Sequence, residues 1–234
     1  MPTFVRPPAC PAGIDGCPLL SEFLSLQEEC RRLQELAQTD ALTGLYNRRY
    51  LMQCLDQEME RTRRTGLPTS LIMLDLDYFK RFNDTHGHQF GDMVLQRVAL
   101  IFKENMRKLD IPCRYGGDEF ALLLPGTRLP QAVRLAERLQ DTLARSQEEH
   151  KGLSEQVTAS FGVDTFIGRE DLTPEAFLHH ADRWLFMAKA RGRNMVCHPD
   201  FTKAALEVGL TPEERRAFLL PATSHKDRTR KSYG

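Results

Sequence analysis

Two glycines near the middle of the chain, Gly116 and Gly117, separate a short strand-like run, Ile111 to Tyr115, from an apolar run, Phe120-Ala121-Leu122-Leu123-Leu124. This pattern predicts a hairpin. A tight primed turn needs positive φ at both central positions, which glycine supplies without strain. Asp118 and Glu119 follow the glycines, so the turn presents two carboxylates at a sheet end beside bare backbone. The alternative reading is a solvated hairpin tip.

The rest of the chain fits elements around this hairpin. A strand is predicted over Thr69 to Asp77, from the apolar run Leu71-Ile72-Met73-Leu74. A short helical start at Phe79 and a helix from Asp92 to Lys108 follow, with Gly91 as the break between them. After the hairpin strands, Ile111–Tyr115 and Asp118–Leu124, a helix starts at Pro130. A strand over Val157 to Phe166 comes next, then a helix to Arg191 opened by Thr173-Pro174 in cap-then-proline order. Asn194 to Cys197 reads as a last edge strand. Asn47 caps a further helix running to Thr65. The order β-α-β-β-α-β is the split βαβ pattern: an α+β fold with an antiparallel central sheet and its two helices on one face.

In that topology the first strand neighbours the hairpin at the sheet centre. Asp75-Leu76-Asp77 would then lie beside Asp118 and Glu119. Alternation puts Asp75 and Asp77 on one face. Four crowded carboxylates call for a divalent cation, and hard oxygen ligands suit Mg²⁺. For Asp77 the competing reading is a cap on the helix starting at Tyr78. Lys80 lies just beyond, within reach of a phosphate. Asn83 and Asp92 suit the edge of guanine, although each could equally cap a helix, and His88 could equally be a structural contact. Lys189 and Arg193 are four apart at a helix end, where cations suit either the helix dipole or a polyphosphate.

The chain resembles the GGDEF family of diguanylate cyclases in several fragments. These are Asp40 to Arg49, Asp75-Leu76-Asp77-Tyr78-Phe79-Lys80 with Asn83-Asp84, Gly87 to Asp92, and Arg114 to Phe120. Thr158 to Gly162, Ala188-Lys189 and Gly192-Arg193-Asn194 complete the set. The resemblance implies a palm-like nucleotidyl cyclase fold and the conversion of two GTP into cyclic di-GMP and two pyrophosphates. It implies Mg²⁺ (or Mn²⁺) held by Asp75, Asp118, Glu119 and the Leu76 carbonyl. Glu119 either serves the metal or helps to deprotonate the 3′-hydroxyl, with Asp118 and Lys80 as the other catalytic residues. Lys80 and the backbone of Tyr78 and Phe79 would meet phosphates, Asn83, Asp92 and His88 would read guanine, and Lys189 and Arg193 would take the terminal phosphates. Two sites must face each other, so a homodimer is implied. Arg107-Lys108-Leu109-Asp110 has the RxxD form of the family's inhibitory product site, with Arg138 as a candidate further contact; otherwise Arg107 and Asp110 form a local ion pair. Trp184 and Phe186 depart from the family's usual residues in ways that bear on packing.

The expected organisation is a flexible arm over 1–18, an amphipathic helix over 19–39, the cyclase domain over 40–198 and a partly disordered extension over 199–234. In the helix, Leu19, Phe23, Leu26, Cys30, Leu33 and Ala37 recur at steps of 4, 3, 4, 3 and 4, a heptad seam. It either pairs two chains as a short coiled coil or lies on its own domain. Lys plus Arg equals Asp plus Glu, at 32 each, which argues against a general nucleic-acid binder. No apolar run approaches the roughly 20 residues that span a bilayer. No signal peptide is evident, so a cytoplasmic location and reduced cysteines are expected, with Cys10, Cys17 and Cys30 as a weak metal pattern. The rival function classes are an inactive module that senses a guanine nucleotide and a cyclase with another product.

Overall fold

The computed structural model describes residues 18–36, 38–146, 157–169 and 171–200. The chain divides into two compact units, Met1–Thr39 and Asp40–Gly234. In the first, α1 (Pro18–Leu36) leaves Leu19, Phe23, Leu26 and Leu33 exposed along the heptad seam. Residues 1–17 of the expected arm over 1–18, with Cys10 and Cys17, Ala37 of the expected seam, and residues 201–234 of the expected extension over 199–234 lie outside the described residues.

The second unit contains β1 (Tyr46–Asn47), α2 (Arg48–Thr65), β2 (Thr69–Leu76), α3 (Phe79–His86), α4 (His88–Asn105) and β3 (Ile111–Arg114). It continues with β4 (Glu119–Leu124), α5 (Leu129–Ser146), β5 (Ala159–Phe166), α6 (Pro174–Ala190) and β6 (Val196–Cys197). Sheet order is β1-β3-β4-β2-β5-β6. The inner strands β3, β4, β2 and β5 are antiparallel, as the split βαβ pattern requires. The two-residue edge strands β1 and β6 pair in parallel, so the full sheet is mixed.

Strand β2 is central, and its alternate side chains enter two cores. Ile72, Leu74 and Leu76 pack with Leu95, Phe102, Leu139 and their neighbours from α4 and α5. Leu71 and Met73 pack with Leu51, Leu55 and Met59 of α2 and Phe177, Ala181 and Leu185 of α6. The expected helix pair thus shares one face, and α2 and α6 cover the other. Helix α6 sits hard against the sheet: a Cβ on Gly162 of β5 would lie 2.1 Å from the Leu185 nitrogen and 2.3 Å from the Ala181 carbonyl oxygen.

Local signals explain several helix ends. Asn47 accepts from the Tyr50 N–H at 3.0 Å and starts α2, while Gly66 ends it at φ 72. Thr173 accepts from the Ala176 N–H at 3.2 Å, with Pro174 in the first turn of α6. One boundary differs from expectation: α4 begins at His88, so Gly91 is inside the helix and Asp92 is no N-cap. Glycine at 91 answers a close approach instead, because a Cβ there would lie 1.9 Å from Asn83 Oδ1.

Candidate active site

The β2–β4 ladder brings the two acidic segments together. Asp75 is the register partner of Glu119, and the Leu76 N–H donates to the Asp118 carbonyl at 3.2 Å. The connecting turn is not a primed one, since neither Gly116 nor Gly117 has positive φ. Instead the N–H groups of Tyr115 and Gly116 both donate to the Glu119 carbonyl, at 2.8 and 3.1 Å. A Cβ at 116 would stand 2.8 Å from Glu119 Oε2, so a side chain there would shift the Glu119 carboxylate.

Arg114, a residue without an assigned role in the sequence reading, braces this turn. Its Nε and one terminal nitrogen donate to the Gly117 carbonyl at 3.1 and 2.8 Å. The other terminal nitrogen bonds both oxygens of Asp40, at 3.2 and 3.3 Å. Burial pushes the Asp40 carboxyl up, but hydrogen bonds from Thr43 and Arg114 outweigh it and hold the pKa below 3.8.

Asp75 is 14% exposed and pairs with Lys189 from the last turn of α6, Nζ to Oδ2 at 2.8 Å. Desolvation raises its pKa from 3.8 to about 6; Lys189 opposes the rise, and the charges of Asp118 and Glu119 add to it. The site therefore demands positive charge, and one ammonium already answers it at Asp75. Among the described residues no three side chains close a metal cage on their own. The donors gathered here are hard carboxylate oxygens, the kind that suit Mg²⁺.

Asp77 neither crowds the acidic cluster nor caps α3. It is 4% exposed, and its carboxylate accepts from Thr158, Ser160 and the Asn194 N–H. Tyr78 occupies the cap position at φ 57 without a side-chain cap bond. Arg193 lies over the Tyr78 ring, 4.5 Å from its centroid, and donates to the Tyr78 hydroxyl at 3.1 Å. Phe79 is buried and Lys80 is exposed in the first turn of α3.

Asn83 on α3 lies against Gly91, one residue before Asp92 on α4. Its Oδ1 is buried and has no hydrogen-bond partner among the described residues. His88 and Asp92 are exposed on the first turns of α4. The helix packing thus gathers polar groups of the kind that a base edge would use.

Arg107 and Asp110 form a closed turn rather than a side-chain ion pair. The Arg107 N–H donates to Asp110 Oδ2 at 2.8 Å, and the Asp110 N–H donates to the Arg107 carbonyl at 3.0 Å. Asp110 is buried and its pKa is raised, chiefly by desolvation; the Arg107 side chain is exposed. Arg138 donates to the Asn105 carbonyl at 3.0 Å, which holds α5 beside this turn.

An antiparallel hairpin carrying acids against a central strand, with helices on both faces, defines a palm-like α+β domain. The chain belongs to the family whose model is described as "Diguanylate cyclase, GGDEF domain", which matches residues 37–195. The response regulator PleD of Caulobacter vibrioides is 46% identical over 164 residues, covering 69% of this chain and 36% of PleD. Diguanylate cyclase DgcP of Pseudomonas aeruginosa is 41% identical over 161 residues, covering 69% of this chain and 24% of DgcP. The chain thus spans about a third or less of the length of these relatives. Among solved structures, the coiled coil and GGDEF domain of DgcB from Caulobacter crescentus, in complex with c-di-GMP, matches with a TM-score of 0.65 and 29% identity. That match covers 76% of this chain and 94% of the solved DgcB chain. Among the described residues, no helix is long and apolar enough to cross a membrane.

Proposed function

We propose that the chain is a diguanylate cyclase that condenses two GTP into cyclic di-GMP and two pyrophosphates, with Mg²⁺ as cofactor and a homodimer as the working unit. The observation that carries this reading is the meeting of Asp75 with Asp118 and Glu119 at the end of β2, under a single ammonium from Lys189. Asp75, Asp118, Glu119 and the Leu76 carbonyl would hold the ion. Bound there, Mg²⁺ offsets the carboxylate charge and polarises the phosphates.

Each subunit positions one GTP. Asn83, Asp92 and His88 orient the guanine. Lys80 and the backbone at Tyr78 and Phe79 face the phosphates. Arg193 and Lys189 receive the terminal phosphates. The 3′-oxygen of one GTP attacks the α-phosphorus of the other. A new P–O bond forms, the bond to the β-phosphate bridging oxygen breaks, and pyrophosphate leaves. The hydroxyl proton goes to Glu119, or to water where Glu119 serves only to hold the ion. The same step, repeated with the roles exchanged, closes the ring. Holding two nucleotides in register supplies much of the rate.

The seam on α1, with Phe23 54% and Leu26 63% exposed, supports pairing of two chains through that helix. Leu26→Lys should then weaken dimerisation in sedimentation experiments and lower specific activity at low protein concentration. Arg107 and Asp110, with Arg138 as a further contact, form the proposed inhibitory site for the product. Incubation with GTP and Mg²⁺, followed by chromatography of the products, tests the main reading. Cyclic di-GMP with pyrophosphate is expected, and its loss in Glu119→Gln with the fold intact ties it to this site. Unchanged GTP or a different cyclic product would refute the proposal.

A further inference from the structure

Asp77 has no part in the mechanism above, yet it is bonded on every side. It follows β2 directly. Its N–H donates to the Thr158 carbonyl at 2.7 Å. Oδ1 accepts from the Ser160 hydroxyl at 2.7 Å, and Oδ2 accepts from the Thr158 hydroxyl at 2.7 Å and the Asn194 N–H at 3.0 Å. A buried carboxylate with three donors is a fixed point in the fold. Both oxygens already accept protein hydrogens and the residue is only 4% exposed, which disfavours a cation there.

The third donor belongs to a turn of unusual conformation. Arg193 and Asn194 have φ of 65° and 45°, a left-handed region that asparagine enters readily but that arginine occupies only when its surroundings hold it. The Arg193 N–H closes onto the Ala188 carbonyl at 3.0 Å. Gln140 donates to Asn194 Oδ1 at 3.1 Å from α5. Asp77 supplies the bond from the sheet. The neighbour of Asp77, Tyr78, is also left-handed, at φ 57, and its ring is the platform for the Arg193 guanidinium. One carboxylate therefore anchors both halves of the stack: Tyr78 through the chain, and Arg193 through the N–H of the residue after it.

We infer that Asp77 is a positioning residue that sets the Arg193 guanidinium for the terminal phosphates of the nucleotide, and not a metal ligand. The inference rests on the phosphate role proposed above for Arg193.

The test is calorimetric binding of 3′-deoxy-GTP, which lacks the attacking 3′-hydroxyl and so cannot react with a second copy of itself, and of GMP, which lacks the terminal phosphates, both with Mn²⁺. Asp77→Ala should weaken 3′-deoxy-GTP about tenfold and GMP less than about twofold, because only the analogue reaches Arg193. Arg193→Ala should do the same, and the double variant should bind no more weakly than Arg193→Ala alone. Asp77→Asn should regain affinity for the analogue. Its amide oxygen can accept from Asn194, and its NH₂ can donate to the Ser160 hydroxyl, which rotates to accept. Equal weakening of both ligands, or additive losses in the double variant, would overturn the inference. Should Asp77→Ala not fold, Mn²⁺ affinity of Asp77→Asn decides: unchanged affinity supports positioning, and its loss marks a metal ligand. A wild-type protein that makes no cyclic di-GMP would sink the functional reading. An active wild type whose Asp77→Ala variant binds the analogue normally would sink only this inference.

Discussion

The ammonium of Lys189 lies 2.8 Å from Oδ2 of Asp75, which ties the last turn of α6 to the end of β2. Even with that partner, burial and the neighbouring acids raise the Asp75 carboxyl from 3.8 to about 6. The folded protein therefore holds this proton more tightly than the unfolded chain does. The stability it contributes is complete below pH 3.8 and is lost as pH rises through about 6. The loss is roughly 2–3 kcal/mol by pH 7, from a shift of about two pKa units. Asp75→Asn cannot titrate. In metal-free urea titrations, the stability of wild type relative to this variant should fall by that amount between pH 4 and pH 7. A difference that stays flat across the range would refute the assignment.

Gly91 allows the Asn83 amide to lie against α4. On propensity alone, Gly91→Ala should stabilise the helix by up to about 1 kcal/mol. The added methyl would instead displace Asn83, at the base-reading end of the proposed site. KM for GTP should rise about tenfold, from the loss of roughly 1–1.5 kcal/mol of contact, and discrimination against ATP should shrink. Steady-state kinetics with both nucleotides reads this directly; unchanged KM would mean that Asn83 does not need its place.

Arg114 links Asp40 to the Gly117 carbonyl. For Asp40 the sign is the reverse of that for Asp75. Its folded pKa lies below 3.8, so its stabilisation is present above that value and fades as pH falls through the lowered one. Arg114→Ala should cost about 1–3 kcal/mol at pH 7, and less at pH 3. It should also lower turnover by loosening the turn that carries Asp118. Denaturation at the two pH values, with an activity assay, checks both effects.

Arg107 and Asp110 should separate on mutation. Arg107→Ala removes an exposed side chain and should change stability by less than about 0.5 kcal/mol, while relieving inhibition by added cyclic di-GMP. Asp110→Ala opens a buried turn and should cost about 1–2 kcal/mol. Progress curves with added product, alongside melting curves, distinguish the two; full inhibition in Arg107→Ala would remove the proposed product site.

The apolar runs and the Gly-Gly punctuation were enough to read the order of the inner strands, because each strand carries its own pattern. The meeting of Asp75 with Glu119 followed from topology. Three features lay beyond local patterns. Strand β1 has two residues, Tyr46 and Asn47, too few for any periodicity. Gly91 looked like a helix boundary because its actual reason, Asn83, stands on another helix. The partners of Asp77 come from β5 and from the turn after α6, and those of Asp75 include Lys189 from α6 itself. Such bonds depend on how distant elements pack, which no window of sequence contains.

The bare backbone of Gly162 leaves no gap between β5 and the Ala181–Leu185 turn of α6. Even a single methyl at that point would act as a shim. Leverage along the helix would magnify the lift toward its basic end and carry Lys189 off Asp75, so the closeness of that ion pair is set by an atom missing about one to two turns away.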